Sequence, residues 1–372
     1  MSLARRLLPP LALLAVMVAI ALNYWSRREP VGIDFHTYMA ATRVGLEEGW
    51  SHIYDQDRVA IQQKLLVPDE VAQPFISPPT VAWLAVVVRP LPYDASFYTW
   101  AVLTLVAFAV ALAWASTSRG IERWIIIGAA VAPWWVLEAV RVGQVVPLVA
   151  VGMALAWRLL REDRNVAAGI ALSLLLLKPN TAFVVPFALL AAGRFKTFGT
   201  LSAVGVVAAL VALLTLGADG VSAYVSQLTG SLPRGGDSLT LERALHVRGW
   251  IPNAVRIVVI AAALAAAFRL RDSPGLVLVV GILGSLVAVP YLHASDLCLL
   301  MVAAVIVWEE RPILAWRIPL VAGWLLTSPF PVVLRPNLDQ WPLLELAFLA
   351  GMVGIAWRVG RARPSDKVVD AA

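Results

Sequence analysis

Apolar runs of bilayer length recur along this chain and leave few folds open to it. Leu7–Leu22, Phe97–Ala115, Ile257–Phe268 and Gly275–Leu292 reach or approach the ~20 residues that a helix needs to cross a hydrocarbon core. They are too many and too long to be the core helices of a water-soluble domain. Only 15% of the 372 residues are charged and 60% are hydrophobic, with a mean hydropathy of +0.78. A soluble domain carries roughly 25% charged residues. Trp25, Trp83, Trp124, Trp308 and Trp341 stand near run ends, where interfacial aromatic belts form. We expect an all-α integral membrane protein, a polytopic helical bundle of about ten to twelve spans in a single domain over residues 1–372.

The net charge of +6 does not point to nucleic acid. The basic residues form short clusters between apolar runs, the positive-inside pattern of membrane proteins. Cys298 is the only cysteine, in an apolar run, which excludes an intrachain disulfide and suits a small buried side chain. CxxC, HExxH and P-loop motifs are absent, as are Asn-x-Ser/Thr acceptors. Arg5-Arg6 before Leu7–Leu22, with Ala19-Ile20-Ala21, has the form of a signal peptide. The run exceeds a usual signal core, so we expect an uncleaved anchor with a cytoplasmic N-terminus.

Charge bias then lays out the chain. Arg158–Arg164, Arg194/Lys196, Arg269/Arg271 and the tail Arg358–Lys367 are expected inside, with outside loops near 25–77, 217–252 and 328–342. In the first loop Phe35, Tyr38/Met39, Thr42 and Leu46 recur at helical spacing, followed by Gly49 as a C-cap. This predicts an amphipathic helix lying on the membrane surface. Trp124–Val140 is taken as one segment, and Phe198–Leu216 as a span ending at Gly217. Val166–Leu177 and Thr181–Ala192 form a hairpin of short helices broken at Lys178-Pro179-Asn180. Four segments lie where parity demands an odd number of crossings. One must be a half-span, and the Pro78-Pro79-led Thr80–Val88 is the shortest.

Several polar residues interrupt the apolar pattern. Asp34, just past the first run, is placed to act as a general base near the headgroup plane, or to cap the helix that follows. His293 closes the Gly275–Leu292 run, with Asp296 three residues on. It suits a phosphate contact or proton transfer, or a plain interfacial position. Lys178 interrupts two apolar runs, which is costly unless it faces a cavity or partner; Arg141 and Gln144 lie at a similar turn. Asp55-Gln56-Asp57 has the form of a metal-binding Asp-x-Asp but reads better as solvated carboxylates. Arg243, His246 and Arg248 suit either phosphate binding or a surface helix. No metal site and no cofactor are assigned.

The order of these motifs resembles glycosyltransferase family 87, also called the DUF2029 family, within the GT-C superfamily. Its pieces are Asp34-Phe35-His36-Thr37-Tyr38 with Gly49 and Ile53-Tyr54-Asp55; Phe75-Ile76-Ser77-Pro78-Pro79 with Arg89-Pro90-Leu91; Gly143-Gln144; Ala168-Gly169 leading to Leu177-Lys178-Pro179; and Leu292-His293-Ala294-Ser295-Asp296. The resemblance implies a GT-C fold and transfer of a hexose, typically mannose, from a polyprenyl-phosphate sugar to a glycolipid or glycan acceptor outside the cytoplasm. It implies Asp34 as the catalytic acid group, and His293 near the donor phosphate. Lys178, Arg141 and Arg248 are expected to share that phosphate, and His36, Tyr38, Gln144 and Asp296 to contact substrate. The family often has Tyr-Pro-Pro, Gly-Gln followed by Asn, and Asn-x-Ser. This chain has Ser77-Pro78-Pro79, Val145-Val146 after Gly143-Gln144, and Gly236-Asp237-Ser238, so the acceptor stays open. A transporter or lipid flippase is the main rival from another class, and a non-catalytic scaffold the third reading.

Overall fold

The computed structural model describes residues 31–230, 239–246, 249–310, 314–327, 346–347 and 349–354. The expected first helix Leu7–Leu22, the third loop at 328–342, the tail Arg358–Lys367, the Gly236-Asp237-Ser238 motif and the candidate Arg248 lie outside the described residues. Among the described residues the regular structure is all helical. Three helices are long and apolar enough to cross a membrane: α4 (Tyr93–Ala115), α10 (Phe195–Gly230) and α12 (Ile251–Arg269). The bent pair α5 (Gly120–Val131) and α6 (Trp134–Val142) makes a fourth if it is a broken span rather than a re-entrant loop. The others are shorter: α7 (Val146–Arg161), α8 (Asn165–Leu172), α9 (Val184–Ala191), α13 (Pro274–Ala288), α14 (Cys298–Glu309) and α15 (Leu314–Thr327). Length and composition among these residues thus give three or four spans, which does not confirm the expected ten to twelve.

The helices pack in sequence, α4 on α7, α7 on α8, and α13 on α9, α12 and α14. Their outer faces stay apolar, with Val102, Val106 and Val110 of α4, Val206 and Val207 of α10 and Ile257 of α12 exposed. Leu214 is 85% exposed. Such extended apolar surface is what a lipid-facing helix presents and a water-facing one avoids.

The chain before α4 differs most from expectation. α1 (Phe35–Glu47) is not a surface helix. Every residue from Phe35 to Thr42 is buried, and Thr42 Oγ1 donates to the Ala82 carbonyl at 2.7 Å. The spacing of its large side chains was real, but Ala40, Ala41 and Gly45 on its other faces let neighbouring segments close in; a Cβ on Gly45 would stand 2.4 Å from the Trp50 ring. A second helix, α2 (Gln56–Leu66), occupies what read as polar loop. Asp55 caps it, accepting from the N–H groups of Asp57 and Arg58, and it pairs with Arg58 at 3.0 Å. The Asp-x-Asp motif is therefore a helix start. α3 (Pro79–Ala85), with proline in its first turn, is seven residues long and cannot cross a bilayer.

Two helices end differently from their apolar runs. Trp124–Val140 is broken at Pro133, and α5 and α6 meet at 61°. A proline in mid-run removes a ladder hydrogen bond and forces this bend. α10 passes its expected end: a kink at Gly217 (φ 63°, ψ −175°) turns the chain, and helix continues to Gly230.

The basic clusters gather at one end of the bundle. Arg158 Nη1 donates to the Trp114 carbonyl at 2.6 Å, and Arg161 donates to the Ala115 carbonyl. Arg194 donates to the Arg271 carbonyl at 3.4 Å. There Glu309 accepts from Ser116, Thr117 and Ser118, tying α14 to the α4–α5 turn. The 16 residues of α7 separate this end from Gln144 by roughly 24 Å at 1.5 Å per residue.

Candidate active site

The polar residues singled out in the sequence come from four separate segments, and the backbone brings them together. The C-terminus of α6 holds the segment before α1 by two backbone bonds: Gly32 N–H donates to the Arg141 carbonyl at 2.8 Å, and Asp34 N–H to the Val142 carbonyl at 2.9 Å. Gly143 ends α6 in the left-handed region at φ 77°, and its carbonyl accepts from Trp100 Nε1 at 3.0 Å. A Cβ there would stand 2.5 Å from Phe35 Cβ. Only glycine permits the close approach that puts Gln144 beside Asp34.

Asp34 occupies the N-cap position of α1, but its side chain makes no capping bond. Its Oδ2 instead accepts from Gln144 Nε2 at 2.7 Å. Gln144 Oε1 in turn accepts from Tyr38 OH and from Lys178 Nζ, both at 3.2 Å. Lys178 sits in the break between two 3₁₀ turns, Ser173–Leu177 and Pro179–Thr181, and its Nζ donates to Asp296 Oδ1 at 2.6 Å. Asp296 is fully buried, and its Oδ2 accepts from His293 N–H at 2.9 Å. Tyr291 bonds the His293 ring through its hydroxyl. A continuous hydrogen-bonded path thus links Asp34, Gln144, Lys178, Asp296 and the His293 backbone.

Burial and nearby charges act on two of these groups, Asp34 and Tyr38. Burial is the largest influence on Asp34 and raises its carboxyl above the usual carboxylate range. Lys178, the Gln144 N–H and His293 pull it down, and Asp296 pushes it up again. Asp34 is nonetheless only partly covered from solvent. Burial, reinforced by the Asp34 charge, holds the Tyr38 phenol protonated, and it stays a donor.

Not every candidate joins the cluster. His36 is fully buried on another face of α1, with Nδ1 3.2 Å from Glu70 Oε2. Burial pushes it down to about 4, so it is neutral, and it makes no bond to the cluster. The Arg141 guanidinium forms a two-point pair with Glu138 at 2.6 and 2.7 Å, while its carbonyl anchors Gly32. Arg243 lies on the short helix α11 (Leu241–Leu245) and His246 at its C-cap. That segment is pinned near the site by Leu239 N–H donating to the Leu292 carbonyl at 2.8 Å.

Sequence reasoning missed Glu138 and Tyr291. Each had a local signal: Glu138 stands three residues before Arg141 on one helix face, and Tyr291 two before His293.

A cavity of about 280 Å³ lies between the helices, and none of the cluster residues lines it. Its lining, from α5, α6, α13, α14 and α15, is almost wholly apolar and includes Trp135, Leu283, Leu300, Val307 and Leu320. Leu300 is one helical turn beyond Asp296, and Trp308 marks the cavity's far reach along α14.

Fold and site together define a helical membrane protein in which carboxylate, amide and lysine side chains from four segments share one hydrogen-bonded path. The family model of glycosyltransferase family 87 matches residues 75–329, more than half the chain, and the protein belongs to that family. It is a membrane glycosyltransferase. Gln144, Lys178, His293 and Asp296 fall inside the matched span; Asp34 precedes it and joins them through the geometry above. Neither the curated proteins nor the solved structures gave a match.

Proposed function

We propose that the protein transfers a hexose, mannose by the family resemblance, from a polyprenyl-phosphate sugar to a glycolipid or glycan acceptor. The site faces the outer side of the plasma membrane, in a single GT-C-type domain with both termini cytoplasmic. The observation that carries this reading is a half-buried carboxylate joined through one amide to a lysine, with a histidine beside them. Such an arrangement suits removal of a proton and departure of a phosphate within one pocket.

The reaction is a single inverting displacement. Asp34 takes the proton of an acceptor hydroxyl, and the oxygen forms its bond to the anomeric carbon. The bond from that carbon to the phosphate oxygen breaks, and polyprenyl phosphate leaves with the electron pair. Lys178 and His293 meet the charge that develops on it. The apolar cavity along α14 would keep the isoprenoid chain out of water while its phosphate stays at the cluster. No metal or cofactor takes part in this scheme.

Purified protein in liposomes, given radiolabelled polyprenyl-phosphate mannose or a nucleotide-linked mannose, tests the donor. We expect label transfer from the lipid donor alone. Transfer from the nucleotide sugar, or solute transport with no sugar transfer, would overturn the reading.

A further inference from the structure

The bonds around Gln144 carry a conclusion that rests on the proposed role of Asp34. A carboxamide has an oxygen end that accepts and a nitrogen end that donates. The Gln144 oxygen faces two donors, the Tyr38 hydroxyl and the Lys178 ammonium, each at 3.2 Å. Its nitrogen faces the acceptor Asp34 Oδ2 at 2.7 Å. Turning the amide over would set N–H groups against an ammonium and an oxygen against a carboxylate, so one orientation is enforced. The side chain has little room to move otherwise, being only 6% exposed.

Two consequences follow for the groups it holds. At Asp34 one oxygen is occupied, and Oδ1 carries no hydrogen bond among the described residues. At Lys178 the ammonium has three protons; Gln144 and Asp296 take two, at 3.2 and 2.6 Å, and the third is left to point at an incoming anion.

We propose that Gln144 is a positioning residue: a single amide that turns Oδ1 of Asp34 toward the acceptor hydroxyl and holds Lys178 in register for the donor phosphate. It sets the distance between proton removal and leaving-group departure without touching either substrate. Glutamate lacks the N–H that holds Asp34. Methionine fills the same volume with neither bond, and asparagine is one methylene too short to span Asp34 and Lys178 together.

The test uses full-length Gln144→Met, Gln144→Glu and Asp34→Asn proteins in liposomes, with radiolabelled polyprenyl-phosphate mannose as donor across a range of pH. Thermal melting checks that each variant folds. Gln144→Met should transfer about 10–100-fold more slowly at saturating donor, the scale of a misplaced reacting group, with the donor KM within about threefold of the original. The acidic limb of its pH profile should move to higher pH, because Asp34 has lost a donor that favours its charged form. Gln144→Glu keeps the acceptor for Tyr38 and Lys178 but adds a like charge beside Asp34, and should move that limb further. If Gln144→Met does not fold, the limb of Gln144→Glu decides. An unmoved limb, or an effect confined to donor KM, would overturn the proposal and make Gln144 a substrate contact. The Asp34→Asn arm separates the two claims. If it transfers at the original rate, the assignment of Asp34 fails and this inference with it; if it is inactive while both Gln144 variants behave normally, this inference alone fails.

Discussion

At Gly143 a side chain has nowhere to go. The position combines φ 77° with a neighbour 2.5 Å from where Cβ would stand. Gly143→Ala should therefore cost on the order of 3 kcal/mol, from backbone strain and overpacking together. Melting measurements would show the loss, and sugar transfer should fall further than stability, since the segment it displaces holds both Phe35 and Asp34. The pH dependence belongs to the same scale. In the proposed mechanism Asp34 acts deprotonated, so transfer should rise with pH through a midpoint above the ~3.9 of an ordinary aspartate. Lys178→Met removes the largest influence that opposes burial and should move that midpoint upward. Asp296→Asn removes a charge that raises it and should move it downward. A pH–rate profile for each variant reads the sign. Gly143-Gln144 and Lys178 were legible in the sequence because they break apolar patterns. The burial of His36 against Glu70 was not, because a histidine two residues from Asp34 has no local mark telling it to face the other way.

Helix ends were read less well than helix middles, and the reasons are local. Pro133 splits one apolar run into α5 and α6 and so turns the α6 C-terminus toward Asp34. A continuous hydrophobic stretch conceals such a break, because both halves stay apolar on either side of it. Gly217 does the reverse, allowing α10 to bend and continue where composition suggested a loop. Its φ of 63° with ψ of −175° is a region essentially reserved for glycine. Gly217→Ala should lower stability by about 1–3 kcal/mol, measured by thermal melting, with little effect on the donor KM, since nothing lies within 4 Å of a Cβ there. The segment that reads as polar loop is α2 because Asp55 caps it and Arg58 answers the cap; that signal was present, but the pair of carboxylates reads as solvated loop rather than as a helix start.

On the scale of the whole molecule, the account divides the bundle into a site end, with Asp34, Gln144, Lys178 and Asp296, and a far end where Arg158, Arg161, Arg194 and Arg271 meet. The seven-residue α3 is too short to cross a bilayer. Cys298 is buried, so replacing it by alanine gives a background for single cysteines. Cysteines at Asp94 and Glu242 should react with a membrane-impermeant maleimide in intact cells, and those at Asp163 and Lys196 only after permeabilisation. The reverse pattern would put the site on the cytoplasmic side. The membrane character and the grouping of basic clusters were legible because they depend on composition, whereas the joining of four distant segments through Gln144 and Lys178 depends on tertiary packing that no single stretch encodes.

The most direct test of the central claim is the rate of sugar transfer by Asp34→Asn, measured with labelled polyprenyl-phosphate mannose in reconstituted membranes alongside donor binding. Asparagine keeps the shape of Asp34 and loses its capacity to take a proton. We expect transfer to drop by about 10²–10⁴-fold, the worth of a positioned general base, while donor binding stays within a few-fold of the original. Transfer at the original rate would contradict the account.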